Sequence, residues 1–144
     1  MIRHAGLIAR RVGGYWRGAL IEGPSGAGKS DLAIRALDAG FRLVADDRVV
    51  LWASGGRLYG RAPDPLKGLI EMRGVDVVAV EPLPFAAVAM IARLASPERM
   101  PEQHTEKVLG ISVPTLDVAP FEASAPAKLS RALEAFAAAH NGRM

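Results

Sequence analysis

The sequence lacks cysteine altogether and contains no long uninterrupted apolar run. Without cysteine the chain can form neither disulfides nor thiolate metal sites, which fits a reducing compartment. A membrane-spanning helix needs about 18 or more consecutive apolar residues, and no segment approaches that length. Arg3, His4, Arg10 and Arg11 interrupt the region in which a signal peptide would carry its apolar core. We therefore expect a cytoplasmic protein that does not associate with membranes.

Aromatic residues are scarce, at 6% of the chain, and no basic run is interleaved with them. That scarcity argues against nucleic acid as a partner, because nucleic-acid surfaces typically combine basic groups with stacking aromatic rings. The net charge of +3 still favours an anionic partner. Arginine outnumbers lysine, and its forked guanidinium suits phosphate or carboxylate groups. With 144 residues, half of them hydrophobic, the chain is expected to be a single globular domain over residues 1–144.

The segment 23–30 has the G-x-x-x-x-G-K-S pattern of a phosphate-binding P-loop, or Walker A motif. Its glycines allow the main chain to approach an anion closely, so that successive N–H groups can surround a phosphate. The lysine brings a positive charge to the terminal phosphates, and the serine hydroxyl can bind Mg²⁺. The predicted nucleotide-binding residues are Gly23, Pro24, Ser25, Gly26, Ala27, Gly28, Lys29 and Ser30.

The surroundings of this motif favour nucleotide binding over a glycine-rich turn that binds nothing. Residues 19–21 form a short apolar run that suits a buried strand. Residues 31–37 have apolar side chains at helical spacing, and Gly40 is a natural end for that helix. A strand, a glycine-rich loop and a helix in this order are the context that the motif requires.

Two adjacent carboxylates, Asp46 and Asp47, follow an apolar strand predicted over residues 41–45. Open α/β sheets bind ligands at the carboxyl ends of their strands, and neighbouring strand residues point to opposite faces. One carboxylate can therefore face the phosphates while the other supports the loop. In a phosphotransferase such a group holds Mg²⁺ or accepts the proton of the attacking hydroxyl. The alternative is a solvated turn in which they pair with Arg48.

Two further candidates are ambiguous from the residues alone. Glu71 and Arg73 share a face if their segment is extended, and they form either a surface ion pair or a metal ligand beside a phosphate clamp. A lone histidine near a terminus, such as His4, is more often solvated than functional.

The remaining pattern predicts a mixed sheet with flanking helices, which is an α/β fold. Strands at 7–9 and 18–21 are joined by a turn at residues 13–14, and a hairpin over 49–60 turns at 53–56. Further expected elements are strands at 75–80 and 85–92 (the latter alanine-rich enough to be helical), a polar connection at 99–106, edge strands at 108–114 and 115–118, and a helix at 125–139.

Together these motifs resemble the HPr kinase/phosphorylase family, in its alphaproteobacterial short form with only the C-terminal catalytic domain. The matching features are His4, the loop at 23–30, the Ala-Asp-Asp-Arg stretch at 45–48 and the Glu-x-Arg-Gly stretch at 71–74. The resemblance covers nearly the whole chain. It implies a P-loop-containing mixed sheet related to that of phosphoenolpyruvate carboxykinase, and a homo-oligomer that is typically a hexamer.

The resemblance also implies an activity. The family transfers phosphate from ATP, and in many members from pyrophosphate, to a seryl hydroxyl of the phosphocarrier protein HPr of the phosphotransferase system. In the reverse reaction inorganic phosphate removes that group and pyrophosphate is released. HPr, or an HPr-like protein, is thus the expected partner, and ATP and Mg²⁺ are the expected cofactors.

Roles carried over by position follow from the same resemblance. Lys29 would bind the β- and γ-phosphates, and Asp47 would take the seryl proton and return it in the reverse reaction. His4 and Arg99 match functional residues of the family, and residues 113–116 resemble a segment associated with dephosphorylation. The expected metal ligands are Ser30, Glu71 and Asp46.

Two other functions remain open at this stage. A small-molecule P-loop kinase should have a lid with clustered arginines, whereas the corresponding stretch has only Arg93 and Arg99. A non-catalytic nucleotide-binding regulator would have no need of Asp46, Asp47 and Glu71.

Overall fold

The computed structural model describes residues 1–72, 74–95 and 103–141, and within them nine strands form one mixed sheet. The strands of this sheet are β1 (Ile2–Arg3), β2 (Gly6–Val12), β3 (Tyr15–Glu22), β4 (Arg42–Ala45), β5 (Val49–Ser54), β6 (Arg57–Arg61), β9 (Ala86–Leu94), β10 (Gln103–Val108) and β11 (Ile111–Val118). A separate two-stranded sheet contains β7 (Leu69–Met72) and β8 (Asp76–Ala79). The helices are α1 (Lys29–Asp38) and α2 (Ala125–Asn141), and a 3-10 turn lies at Asp64–Leu66. The predicted α/β class is confirmed.

The direction of the strands places several strand ends at one edge of the sheet. The neighbours follow the order β1-β5-β6-β9-β3-β2-β4, and β11 pairs with β9 beyond the end of β6. Strand β3 is parallel to β9, which is parallel to β11. Because β3 and β4 are both antiparallel to β2, β4 also runs in that direction. The carboxyl ends of β4, β3, β9 and β11 therefore share an edge, which is where open α/β sheets bind ligands.

Two-residue turns connect the antiparallel hairpins. Gly13 and Gly14 join β2 to β3 with φ angles of 61° and 84°, and Gly55 and Gly56 join β5 to β6 with 59° and 78°. Positive φ at both positions gives a turn whose twist matches that of the strands, and glycine adopts it without strain. The second turn is shorter than predicted, because its flanking residues Ala53 and Ser54 pair with β6.

The apolar core has two layers, one on each face of the sheet. On the first face, side chains from many strands pack against one another across the curled sheet, among them Leu7, Leu20, Leu51, Leu58 and Ile91. On the second face, Ile8, Ile21 and Met90 pack beneath the two helices through Leu32 and Leu129. A fully buried side chain of this size stabilises the fold by about 1.5–3 kcal/mol, so these layers outweigh the surface ion pairs.

Three predictions about the second half of the chain need correction or completion. The alanine-rich run at 85–92 is strand β9, a strand because it is paired on both sides. The polar connection predicted over 99–106 is in fact strand from Gln103, because β10 pairs with β11 over six residues. Of the two edge strands predicted at 108–114 and 115–118, residues 111–118 form one strand, β11, that lies between β10 and β9, whereas Val108 ends β10 and residues 109–110 form the turn. The final helix is confirmed as α2.

None of the helices in the described part of the chain is long and apolar enough to cross a membrane.

Candidate functional site

The segment 23–30 connects β3 to α1 at the shared strand edge. A turn closes where the Ala27 N–H donates to the carbonyl of Pro24 at 3.0 Å, and Gly28 precedes the helix with φ of 101°. That angle is strained for residues with a Cβ, which explains the glycine. The first N–H groups of a helix have no partners within it, so this helix start presents donors and positive potential at the loop.

The ammonium group of Lys29 folds back over the start of the loop. Its Nζ donates to the carbonyl oxygens of Gly23 at 2.6 Å and Pro24 at 3.1 Å. These neutral acceptors hold the group at the loop, where a bound phosphate can compete for it. A charged acceptor forms the stronger hydrogen bond.

Asp46 is the buried connection between three segments. It is 6% exposed; its Oδ1 accepts from the Ser30 hydroxyl at 2.8 Å, and its Oδ2 accepts from the Glu71 backbone N–H at 3.0 Å. The phosphate loop, the end of β4 and strand β7 are thereby joined at one carboxylate. Because the Ser30 hydroxyl donates its hydrogen to Asp46, the lone pairs on Ser30 Oγ point elsewhere.

The oxygen donors gathered here suit Mg²⁺. This ion prefers oxygen ligands and is usually held by one or two carboxylates together with phosphate and water. Ser30 and Asp46 provide oxygens of that kind in direct contact, and the backbone N–H of Glu71 joins the strand that carries Glu71 to the same carboxylate. No group of three or more acidic, histidine or cysteine side chains gathers into a metal cage among the described residues. The described residues therefore suit an Mg²⁺ ion whose remaining oxygen ligands come from a phosphate group and water.

Asp47 differs from its neighbour in both conformation and exposure. Its φ is 68°, and its side chain is 68% exposed, with Oδ2 at 3.8 Å from the Nε of Arg48. A left-handed backbone at a residue other than glycine is uncommon, and such strain concentrates at functional sites. The two carboxylates thus point in different directions, and the long, exposed pairing with Arg48 contributes little.

A backbone hydrogen bond brings the segment that contains His4 next to Asp47. Ala5, the residue after His4, donates its N–H to the carbonyl of Asp47 at 3.2 Å, and His4 is exposed. Glu71 is exposed at the end of β7. Arg73 and Arg99 lie outside the described residues, so the ion-pair and clamp interpretations of Arg73 stay predictions.

A charged network that the sequence did not predict supports the strand leading into the loop. Arg3 donates to Glu22 at 3.0 Å and to Glu106 at 2.8 Å, and Arg93 donates to Glu106 at 3.0 Å. The hydrogen bond from Arg3 lowers the pKa of Glu106, against the opposing effect of burial. Glu22 immediately precedes Gly23, so the network fixes the start of the loop. Its members come from β1, β3, β9 and β10, a set that no local pattern could identify.

The structure also contains an apolar cavity that the sequence did not predict. It has a volume of about 480 Å³ and opens beside the loop, on the side away from β4. Its lining residues are Pro24, Ala27, Leu94, Ala95, Ala119, Pro120, Phe121 and Glu122.

Fold and loop define an α/β domain that carries a G-x-x-x-x-G-K-S loop and two adjacent aspartates at one edge of its sheet. The family model of the HPr serine kinase C-terminal domain matches residues 7–142. The chain therefore belongs to this family. The expected family and fold are confirmed.

Proteins that are similar to this chain bear the names of the same family. The chain is 34% identical over 120 residues to an HPr kinase/phosphorylase of Brevibacillus brevis, covering 72% of this chain and 38% of that protein. It is 46% identical over 67 residues to one of Streptococcus thermophilus, covering 46% and 22%. Its match thus spans well under half the length of these relatives. The structure of the Hpr(Ser) kinase/phosphatase from Coxiella burnetii superposes with a TM-score of 0.76 at 27% identity, covering 100% of this chain and 98% of that one.

Proposed function

We propose that the protein transfers the terminal phosphoryl group of ATP to a serine hydroxyl of HPr or of an HPr-like phosphocarrier. Family membership and the names of the relatives support this class of reaction. The observation that carries the proposal is the pair of hydrogen bonds made by Asp46. They hold the Ser30 hydroxyl and the backbone of Glu71 against the carboxylate that directly precedes the strained Asp47, beside the loop proposed to bind phosphate.

The loop residues would bind the donor. The backbone N–H groups of 25–30 would surround its phosphates. Lys29 would leave the carbonyls of Gly23 and Pro24 for the β- and γ-phosphate oxygens. Ser30, Glu71 and Asp46 would hold Mg²⁺, which when bound neutralises charge on the phosphates. Asp46 also keeps the Ser30 hydroxyl turned so that its lone pairs are free.

Asp47 would handle the proton. As the serine oxygen attacks the γ-phosphorus, its hydrogen passes to the Asp47 carboxylate, the bond to the β-phosphate oxygen breaks, and ADP leaves. In the reverse direction inorganic phosphate attacks phosphoserine, the Asp47 carboxyl returns a proton to the serine oxygen, and pyrophosphate is formed. His4, next to Asp47 along the backbone, and Arg99 are proposed to contact the phosphoryl group, as the resemblance implies.

The test is phosphate transfer from labelled ATP and Mg²⁺ to purified HPr. We expect label on an HPr serine with the wild type, and loss of transfer with both Asp47→Ala and Lys29→Ala. General-base removal costs about 10²- to 10⁴-fold in rate. Asp64→Asn is a matched control, because that exposed carboxylate follows β6 and pairs, among the described residues, with Arg61 alone. Bound ATP without label on any HPr-like protein would refute the proposal and favour a small-molecule kinase.

Asp47→Asn separates a kinase from a regulator. A non-catalytic nucleotide sensor should bind ATP and respond normally with this variant, whereas a kinase should keep ATP binding and lose transfer. The hexameric assembly and the domain extent of 1–144 stay predictions, and sedimentation of the purified chain measures the first directly.

A further inference from the structure

The apolar cavity lies at the ends of three parallel strands. Its walls are formed by residues at the carboxyl ends of these strands: Pro24 and Ala27 after β3, Leu94 and Ala95 at the end of β9, and residues 119–122 after β11. Across the sheet, β3 stands between this cavity and β4, which leads to Asp46 and Asp47. The phosphate loop thus has carboxylates on one side and an apolar cavity on the other.

The cavity wall offers contact area instead of charge. Among the described residues that line it, Glu122 is the only charged one, and its carboxylate is held by Lys128 at 2.6 Å. The ring of Phe121 is 68% exposed although it is large and apolar. It lies over the loop: a Cβ built on Gly28 would be 2.8 Å from its Cζ. An exposed aromatic face beside an anion-binding loop suits a flat ligand with attached phosphates.

The wall is held in place by the helix that follows the loop. Arg35 of α1 donates to the carbonyl oxygens of Glu122, at 3.2 Å, and of Pro120. Its Nε also donates to Asp31 at 3.0 Å. The guanidinium therefore fixes the segment 120–122 against α1, so that a ligand would meet a largely pre-formed wall.

The geometry points to this cavity as the site of the nucleoside base of the phosphate donor, with Phe121 against the face of the base. The inference rests on the proposed function. In phosphoryl transfer the attacking and leaving oxygens are roughly in line, so acceptor and nucleoside lie on opposite sides of the transferred group. Asp47 marks the acceptor side, and the cavity opens on the other. Its volume of about 480 Å³ falls in the range of roughly 300–1,000 Å³ found for small-molecule sites.

Two consequences follow for the choice of donor. Because the lining is apolar, the base gains affinity mainly from stacking, which every base can provide. Adenine and guanine nucleotides should therefore bind with similar affinity. A donor without a base, such as pyrophosphate, should use the loop and leave the cavity unoccupied.

The experiment compares two probes that share three phosphates, ATP and inorganic tripolyphosphate, each titrated with Mg²⁺ by calorimetry. For Phe121→Ala we expect the Kd of ATP to rise about tenfold, as loss of one stacking contact of about 1.4 kcal/mol requires. The Kd of tripolyphosphate should stay within about twofold. Tyr15→Ala is the matched control, since Tyr15 is also exposed but lies at the turn between β2 and β3.

A second variant tests the cavity without touching the ring. Ala95→Leu adds bulk to the wall, and it should weaken ATP and spare tripolyphosphate in the same way. Equal losses for both probes, or an unchanged Kd of ATP in both variants, would overturn the inference. The proposed function fails separately: if the wild type binds neither probe, or if Lys29→Ala weakens neither, then the loop is not a phosphate site.

Discussion

The two sides of the phosphate loop are built on different physical principles. On the carboxylate side, direction matters: Asp46 accepts one bond from Ser30 and one from Glu71, and both distances are close to ideal. On the cavity side, Leu94, Ala95 and Phe121 offer shape and apolar area, with the nearby charge of Glu122 neutralised. Chemistry that moves a proton needs fixed angles, whereas holding a flat group needs only contact.

This difference predicts how each side responds to mutation. A directional site fails abruptly, because one missing acceptor leaves buried donors unsatisfied. A contact surface fails gradually, because many weak contacts share the affinity. Substitutions on the two sides should therefore separate transfer rate from donor affinity.

The largest effect is expected for Asp46→Ala. The Ser30 hydroxyl and the Glu71 N–H would lose their acceptor at a site that is 6% exposed. Each unsatisfied group costs about 1–3 kcal/mol, so we expect the unfolding free energy to fall by about 2–6 kcal/mol. The rate of transfer to HPr should fall at least a hundredfold, which is the loss typical of removing one preorganised electrostatic contact from an active site. Denaturant unfolding and the labelled transfer assay measure the two quantities.

Asp38→Asn serves as the control, because Asp38 is exposed at the last position of α1. Asp46→Asn keeps one acceptor oxygen and should lie between the wild type and Asp46→Ala in stability. If Asp46→Ala kept wild-type stability, the idea that this carboxylate joins the three segments would be wrong.

The carboxylate side was accessible from the sequence because its parts are local. The loop motif spans eight consecutive residues, and Asp46 and Asp47 directly follow an apolar strand. The residue pattern alone left open which aspartate supports the loop, and only the family resemblance gave Asp47 and Asp46 different roles. Burial of Asp46 and the left-handed backbone of Asp47 depend on contacts with Ser30 and with Ala5, which are distant along the chain.

The cavity side was inaccessible because it is defined by strand order. Leu94 and Phe121 are far apart in sequence. They line the same cavity because β9 and β11 are parallel neighbours in the sheet. The pairing of β10 with β11 was likewise missed, because the polar side chains 103–107 have no apolar alternation. Long-range pairing overrides local preference in such strands.

An intermediate effect is expected for Arg35→Ala, which should affect the cavity side alone. Without the guanidinium, the carbonyls of Pro120 and Glu122 lose their shared donor, and the wall that carries Phe121 is less fixed. We expect the Kd of ATP to rise about three- to fivefold, since ordering costs about 0.5–1.5 kcal/mol per immobilised group. The Kd of tripolyphosphate should not change.

Arg131→Ala is the matched control, because Arg131 on α2 is 84% exposed and, within the part of the chain that the structure describes, pairs with Glu134 alone, at 3.5 Å. A loss of tripolyphosphate binding with Arg35→Ala would contradict the separation of the two sides. It would mean that the helix start itself had shifted.

The smallest effect is expected for Glu106→Gln, which weakens a support shared by both sides. Arg3 and Arg93 meet at Glu106, and Arg3 also holds Glu22 just before the loop. ATP and tripolyphosphate affinities should therefore change together, by less than about twofold, which corresponds to less than about 0.4 kcal/mol and lies within the range of partly exposed ion pairs. A change in ATP affinity alone would assign the network to the cavity side.

The stability difference between wild type and Glu106→Gln should also depend on pH in one direction. The Arg3 hydrogen bond places the pKa of Glu106 in the folded state below its ordinary value of 4.5. A depressed carboxyl pKa stabilises the fold at pH values above the unfolded value, and that contribution disappears as pH falls through the folded value. The difference in unfolding free energy should thus be full near pH 7 and begin to shrink near pH 4.5. A difference that stayed constant down to pH 3 would show that Glu106 acts by packing, since protonation would then leave its contribution intact.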